Sequence, residues 1–543
     1  MSNSLLRRKA VSTADAEGRN TGMRRVLSVK DLTFFGIAAI IGGGTFSAIG
    51  NACYAGGPAV ILLYAICAVA CGFTAMCYAE FASRVPVSGS AYTYAYITFG
   101  ELFAWIIGWA LIMEYSIGNI YIAFSWSGYF TNLIQGIPEW LTINYKSAHQ
   151  AFVSGTPGEG LTAWITAPQV AGLRIIFDMP ALAINVFLTA LVFVGTSESR
   201  NLSNTMVIIK LSIIVLVIIV GAFHVDIENW TPFMPNGFNG VMAGVSAVFF
   251  AYIGFDAVST LAEESKNPQR DLPRSMIYSL IICTVVYMIL ALVITGMAPY
   301  KLLGVSDPLA EIFKIKGVKW MLFIVSLAAV IAMTSVLLVY QMGQPRIWMS
   351  MSRDGLLPKK FSSIHPKFRT PGFATIVTGL VVGVPIFFTD EKIVLDFTSI
   401  GTLFAFALVC GGILILPRNT GPKENGKFRI PYVNARYIVP AVTVVSFIAI
   451  AVFYPNSIYS DAENTRLNYP MIIFYIVWVV IAILSYIRNF SLIPVIGLLA
   501  CCYLLTGMGW TNWAMFGVWL VIGLTIYFLY GHRKSKLALQ SKS

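Results

Sequence analysis

The sequence predicts an all-α membrane protein of twelve to fourteen spans, fourteen preferred. Three observations predict it. Apolar residues make up 57% of the 543 and charged residues 11%, against roughly 25% charged in an average soluble protein. The apolar residues fall in continuous runs of about 20, the number that crosses about 30 Å of hydrocarbon as a helix. Lys and Arg concentrate on alternate connections between those runs, as the positive-inside rule requires. With 37 Lys/Arg and 25 Asp/Glu, a water-soluble globule could not cover its apolar surface. A soluble enzyme, a disordered chain and a secreted disulfide scaffold are excluded. A membrane barrel would instead alternate in segments of about ten residues.

Residues 1–30 form a polar tail with seven Lys/Arg and no apolar signal core. No cleaved signal peptide is expected, so the first span acts as the insertion signal. Spans are expected near 33–55, 58–82, 99–134, 179–197, 203–223, 239–263, 276–297, 319–342, 372–389, 394–417, 437–455, 469–487, 491–506 and 511–530. The run at 491–506 is short, which is what leaves the number open. The longest polar stretch, 135–178, is rich in Gly, Thr and Pro and reads as an external loop. With the N-terminus inside, 28 Lys/Arg lie on inner segments and eight on outer ones. That places both termini in the cytoplasm of a plasma (inner) membrane protein with an even number of spans. The net charge of +12 then belongs to the inner span ends and to anionic lipid, and nucleic acid is not needed to explain it.

The eight cysteines lie almost entirely in apolar runs without paired ligand spacing, so no metal is expected. All four histidines fall near or outside span ends, which argues against a histidine proton relay in the membrane core.

Two spans are unusual. The first contains Ile40-Ile41-Gly42-Gly43-Gly44-Thr45-Phe46. Each glycine costs a helix interior about 1 kcal/mol against alanine. Three in a row either open the helix beside a polar cavity or serve close helix packing. The sixth span carries Phe249-Phe250-Ala251-Tyr252-Ile253-Gly254-Phe255-Asp256. It is either an aromatic-rich helix with a buried acid or a second interruption. The two spans hold matching places in two five-span halves, and interruptions at matching places point to a midplane substrate site. Half-helix N-termini suit a carboxylate, while free carbonyls and half-helix C-termini suit a cation. An α-amino acid carries both charges on one carbon.

Lys210 lies early in the fifth span. It either snorkels to the inner face or takes part in proton coupling. Glu114, in mid-third span, is either a structural acid or a pocket acid. Glu80 reads as structural, and Glu263 and Glu264 as an inner helix end. A membrane receptor would need an output domain or long tail, and a membrane enzyme a nucleophile–base pair or metal cluster. The sequence displays none of these, so the protein is expected not to be an enzyme.

These motifs resemble the amino-acid permeases of the APC superfamily, within it the cationic amino acid transporter family, from about residue 28 to 535. The resemblance is carried by Ile41-Gly42-Gly43-Gly44 with Ala55-Gly56-Gly57-Pro58-Ala59, and by Tyr78-Ala79-Glu80-Phe81 followed by Pro86-Val87-Ser88-Gly89-Ser90-Ala91-Tyr92. Phe249 to Ser259, Gly343-Gln344-Pro345-Arg346, Ser352-Arg353-Asp354-Gly355-Leu356-Leu357-Pro358 and Phe516-Gly517-Val518-Trp519-Leu520 complete it. The resemblance implies a LeuT-type fold: spans 1–5 (31–225) and 6–10 (226–420) as inverted repeats with broken first and sixth helices. Accessory spans (421–530) and a cytoplasmic tail (531–543) follow. It implies a secondary transporter importing an α-amino acid by proton symport through alternating access, or alternatively an exchanger without net proton flow. No cofactor is implied beyond the coupling proton, and the partners are the amino acid and the bilayer.

By the same resemblance, Ile41, Gly42, Gly43, Gly44 and Thr45 of the first span and Phe250, Ala251 and Ile253 of the sixth surround the substrate. Lys210 is the coupling lysine, Thr334 and Ser335 are its eighth-span partners, and Met333 narrows the pocket. Gly43 and Thr45 depart from the family pattern, where Ser, Thr or Ala and Ile or Val are common. A narrowed pocket points to a small or neutral amino acid.

Overall fold

In the computed structural model, residues 5–10, 13, 23–42, 44–134, 136–155, 158–170, 172–305, 308–389, 391–416, 427–453, 468–508 and 510–540 are described. Every apolar run is helical along most of its described length. Among the described residues, seven helical stretches are long and apolar enough to cross a membrane, and five shorter apolar helices accompany them.

The first run starts at a capping box, with the Ser28 amide donating to Asp31 and the Asp31 amide to Ser28 Oγ. Its helix Val29–Ile40 ends where Ile41 turns extended (φ −82°, ψ 98°). The chain rewinds as a wide turn at Gly44–Ala48 and continues as Ile49–Gly56. A tight turn at Gly57-Pro58-Ala59 leads into the second helix, Val60–Arg84. The sixth run is helical over Gly237–Ala243 and Val245–Tyr252, breaks at Ile253–Gly254, and resumes as a narrow 3₁₀ segment, Phe255–Glu264. Both expected interruptions are therefore present. The seventh helix, Pro268–Met297, packs against the first and second. The eighth, Lys319–Arg353, packs along the third, Glu101–Leu133. One continuous apolar core runs through these helices, while a small cluster of Ala435, Val439, Ile481, Ala482 and Val495 joins the accessory helices.

The stretch 135–178 is more than a loop. It folds into helices Tyr145–Ser154 and Glu159–Thr166 and an antiparallel hairpin pairing Gln169 with Arg174 and Val170 with Leu173. Its reason is local: Asn144 accepts from the Ser147 amide at 2.8 Å to cap the first helix. Ala148, Ala163, Ala167 and Ile176 form a core beneath Trp140 and Trp164. The Arg174 guanidinium lies over the Trp164 ring, 5.2 Å from its centroid. Gly160 lets the two short helices approach closely, since a Cβ there would stand 2.8 Å from Ala151 Cβ.

Both tails meet on one face. The Leu102 and Glu101 amides donate to the carbonyls of Leu5 and Arg7 at 3.1 and 2.9 Å. Lys9 Nζ reaches Asp354 at 2.6 Å in a buried ion pair. From the other end, the Lys536 amide donates to the Asp354 carbonyl at 3.0 Å, and Ser535 Oγ donates to Glu101 at 2.5 Å.

Candidate functional site

The two broken helices cross backbone against backbone. A Cβ added at Gly44 would stand 2.5 Å from Ala251 Cα. Gly254 has φ +123°, and a Cβ there would stand 2.8–3.0 Å from Ala39 atoms, including its carbonyl. Each break is thus pressed against the helix preceding the other break. Only glycine combines that φ with that approach. Tyr287 of the seventh helix stitches the crossing. Its hydroxyl lies 2.8 Å from the Ile40 carbonyl and 3.0 Å from the Ala251 carbonyl as donor, and it accepts from Thr45 Oγ1 at 3.1 Å. Carbonyls that a broken helix leaves unpaired are satisfied here inside the protein.

Lys210 does the same for the first half-helix. Its ammonium is fully buried and shares its three N–H groups among four acceptors, the carbonyls of Ile41 (2.7 Å), Ile37 (3.1 Å) and Ala38 (3.2 Å) and Ser335 Oγ (2.9 Å). A positive charge sits at the negative end of a helix dipole. Among the described residues no carboxylate lies within 4 Å of it. Lys210 therefore points into the protein rather than snorkelling. Ser335 Oγ also donates to the Ala332 carbonyl at 2.6 Å, so it is held in place as an acceptor for the ammonium.

Of the two expected eighth-span partners, only Ser335 touches Lys210. Thr334 Oγ1 accepts from the Trp126 indole at 2.8 Å and donates to the Val330 carbonyl at 2.7 Å. Neighbouring helical positions face about 100° apart, so one of the two must turn away. Ile41, Gly42, Gly44, Thr45, Ala251, Ile253 and Met333 are all buried around the crossing or on the adjoining eighth helix. The Phe250 backbone lies in the last turn before the sixth-helix break. Gly43 lies outside the described residues. Glu114 is buried away from Lys210. It packs on Gly401 of the tenth helix, its Cβ 3.6 Å from a Cβ built at that glycine. It hydrogen-bonds Thr402, while its Oε2 has no hydrogen-bond partner among the described residues.

Sequence reasoning missed Tyr287, because a tyrosine within Thr284-Val285-Val286-Tyr287-Met288 carries no local motif. It quoted Arg346 and Arg353 without a role. Arg346 Nε donates to the buried Glu264 carboxylate at 3.0 Å, and Arg353 forks onto Glu263 at 2.7 and 2.8 Å. The Val26 amide donates to the Glu264 carbonyl at 2.9 Å, and the Lys266 amide to the Leu27 carbonyl at the same distance. The end of the sixth run is thereby joined to the entry of the first, and both to the eighth.

Comparison with known proteins agrees with this geometry. A family model described as amino acid permease matches residues 27–481, and one for the permease C-terminus matches 491–535. The branched-chain amino acid permease of Bacillus subtilis is 35% identical, covering 99% of this chain and 100% of its own length. The methylthioribose transporter of Bacillus subtilis is also 35% identical, over 98% of this chain and 99% of its own. The vacuolar cationic amino acid transporter 2 of Arabidopsis thaliana is 33% identical, over 98% and 93%. Two broken helices crossing at glycine, a lysine capping one of them and full-length similarity to permeases converge: the chain belongs to the amino acid permease family of the APC superfamily, as a multi-pass membrane transporter akin to the cationic amino acid transporters, and is not an enzyme.

Proposed function

We propose that this permease imports a neutral α-amino acid by proton symport, with Lys210 carrying the coupling proton. The observation that carries the reading is the capping of the first half-helix by the buried Lys210, with no carboxylate beside it among the described residues. A protonated Lys210 ties Ile37, Ala38, Ile41 and Ser335 together. Loss of the proton would remove the charge that complements the half-helix C-terminus and leave the first half-helix free to move against the eighth. Two inverted repeats, 31–225 and 226–420, would then alternate access around the crossing, with the proton as the sole coupling ion and no cofactor.

The substrate carboxylate and amine would be read by the backbone of Ile41, Gly42, Gly43, Gly44, Thr45, Phe250, Ala251 and Ile253. Met333 would border the side chain. An apolar Met333 and the similarity to the branched-chain amino acid permease of Bacillus subtilis support a neutral aliphatic side chain. The 28-to-8 division of Lys/Arg, with both tails on one face, supports cytoplasmic termini in a cytoplasmic membrane.

Purified protein in proteoliposomes tests this. An acid-outside pH gradient should drive accumulation of the amino acid that most raises the unfolding temperature in a screen of the twenty. Lys210→Met should lose that accumulation. Accumulation by Lys210→Met at the wild-type level would falsify the coupling role, and counterflow at equal pH without proton-driven uptake would mean exchange.

A further inference from the structure

We propose that a cleft on the tail-bearing face, between the second, tenth and thirteenth helices, binds an anionic phospholipid. The cleft has a volume of about 420 Å³ and is lined by Glu80, Arg84, Ile413, Leu414, Leu416, Arg429, Ile430, Tyr432, Ser491 and Pro494. A second cleft of about 430 Å³ shares Leu414 and Leu416 and adds Leu484, Arg488 and Phe490. The two clefts adjoin at Leu414 and Leu416, and among the described residues they present three guanidinium groups and one carboxylate.

The walls are built rather than incidental. The connection leaving the tenth helix is pinned to the second: the Phe428 amide donates to Ser83 Oγ at 2.7 Å and the Ile430 amide to Glu80 at 3.0 Å. It is pinned to the thirteenth by the Leu492 amide on the Val433 carbonyl at 2.8 Å and the Ala435 amide on the Phe490 carbonyl at 3.0 Å. Glu80 also holds Arg84, so its charge is engaged within the wall. Helix Leu492–Thr506 begins at Ser491, whose side chain makes no cap hydrogen bond. The buried Ser491 Oγ has no hydrogen-bond partner. A hydroxyl without a partner, the positive end of a helix dipole and arginines on facing walls are the recognition set for a phosphodiester.

The surroundings select the source of that phosphate. Leu414, Leu416, Ile413 and Pro494 give the cleft an apolar floor. Ile415, Leu484 and Ile487 beside it are exposed apolar side chains, at 47%, 38% and 63%. A free phosphate would leave that apolar floor uncovered. A lipid from the tail-side leaflet lies there already, with its head group at the arginines and its chains along the floor. Bound there, it would bridge the repeat core to the accessory helices.

The full chain in detergent is the system to use, with phosphatidylglycerol, phosphatidylcholine or soluble glycerol phosphate added. Unfolding temperature and lipid retention by native mass spectrometry are the readouts. Phosphatidylglycerol should raise the unfolding temperature and be retained at least about tenfold better than phosphatidylcholine, in line with one charge-assisted hydrogen-bond pair. Ser491→Ala removes a hydroxyl with no protein partner, so it should fold normally and still weaken retention several-fold. Arg429→Gln should weaken it further. Equal retention of the two lipids, equal stabilisation by glycerol phosphate, or wild-type retention in both variants would each overturn the proposal.

Discussion

Single residues decide whether this crossing can form at all. Gly254 is the clearest case. Alanine there would meet the Ala39 backbone at 2.9–3.0 Å while holding φ at +123°, and both costs fall on backbone that cannot rotate away. We expect Gly254→Ala to destabilise the protein by about 2 kcal/mol or more. A drop in unfolding temperature measured in detergent checks this, and an unchanged midpoint would mean that the break can relax. Lys210 was legible because an ammonium within an apolar run is costly and therefore stands out. Its partners were not, since three of its four acceptors are backbone carbonyls that every residue possesses. Tyr287 was illegible for the complementary reason: a tyrosine is unremarkable in a membrane helix, and only the crossing gives its hydroxyl three partners.

At the scale of elements, hydrophobic length identified the helices, because hydrocarbon forces each run to satisfy its own backbone. The first break was readable from three glycines. The sixth was readable mainly by its place opposite the first, and its continuation as a 3₁₀ segment left no mark in composition. The eighth helix separates two adjacent hydroxyls that the family resemblance had grouped. Ser335→Ala should therefore weaken proton-driven uptake by about fivefold, the worth of one hydrogen bond of about 1 kcal/mol. Thr334→Val should leave the pH dependence of uptake unchanged, because its hydroxyl serves Trp126. A pH profile of initial uptake rates for the two variants separates these outcomes, and identical profiles would remove Ser335 from the coupling. The short helices within 135–178 were not foreseen, because a stretch rich in glycine, threonine and proline carries no helical period long enough to read.

Across the whole molecule, charge placement led us to expect both termini on one side, and in the structure the described parts of the two tails pack together around Glu101 and Asp354. The contacts that hold those tails join residues hundreds of positions apart, which no local pattern reveals. Lys9→Ala would strand the Asp354 carboxylate among buried neighbours, with Tyr92 donating to it at 2.7 Å. We expect a loss of about 3 kcal/mol, read as a lower unfolding temperature and faster hydrogen exchange at residues 96–102. Lys9→Ala combined with Asp354→Asn should recover part of the loss. A sum of the two single effects would mean that the pair contributes nothing. Asp354 also takes the Lys536 amide on its carbonyl, so positions 9, 92 and 536 all answer to it. In an evolving lineage that makes Asp354 a source of epistasis. Positions 9 and 354, separated by 345 residues, would be inherited as a unit, each limiting the substitutions the other can survive.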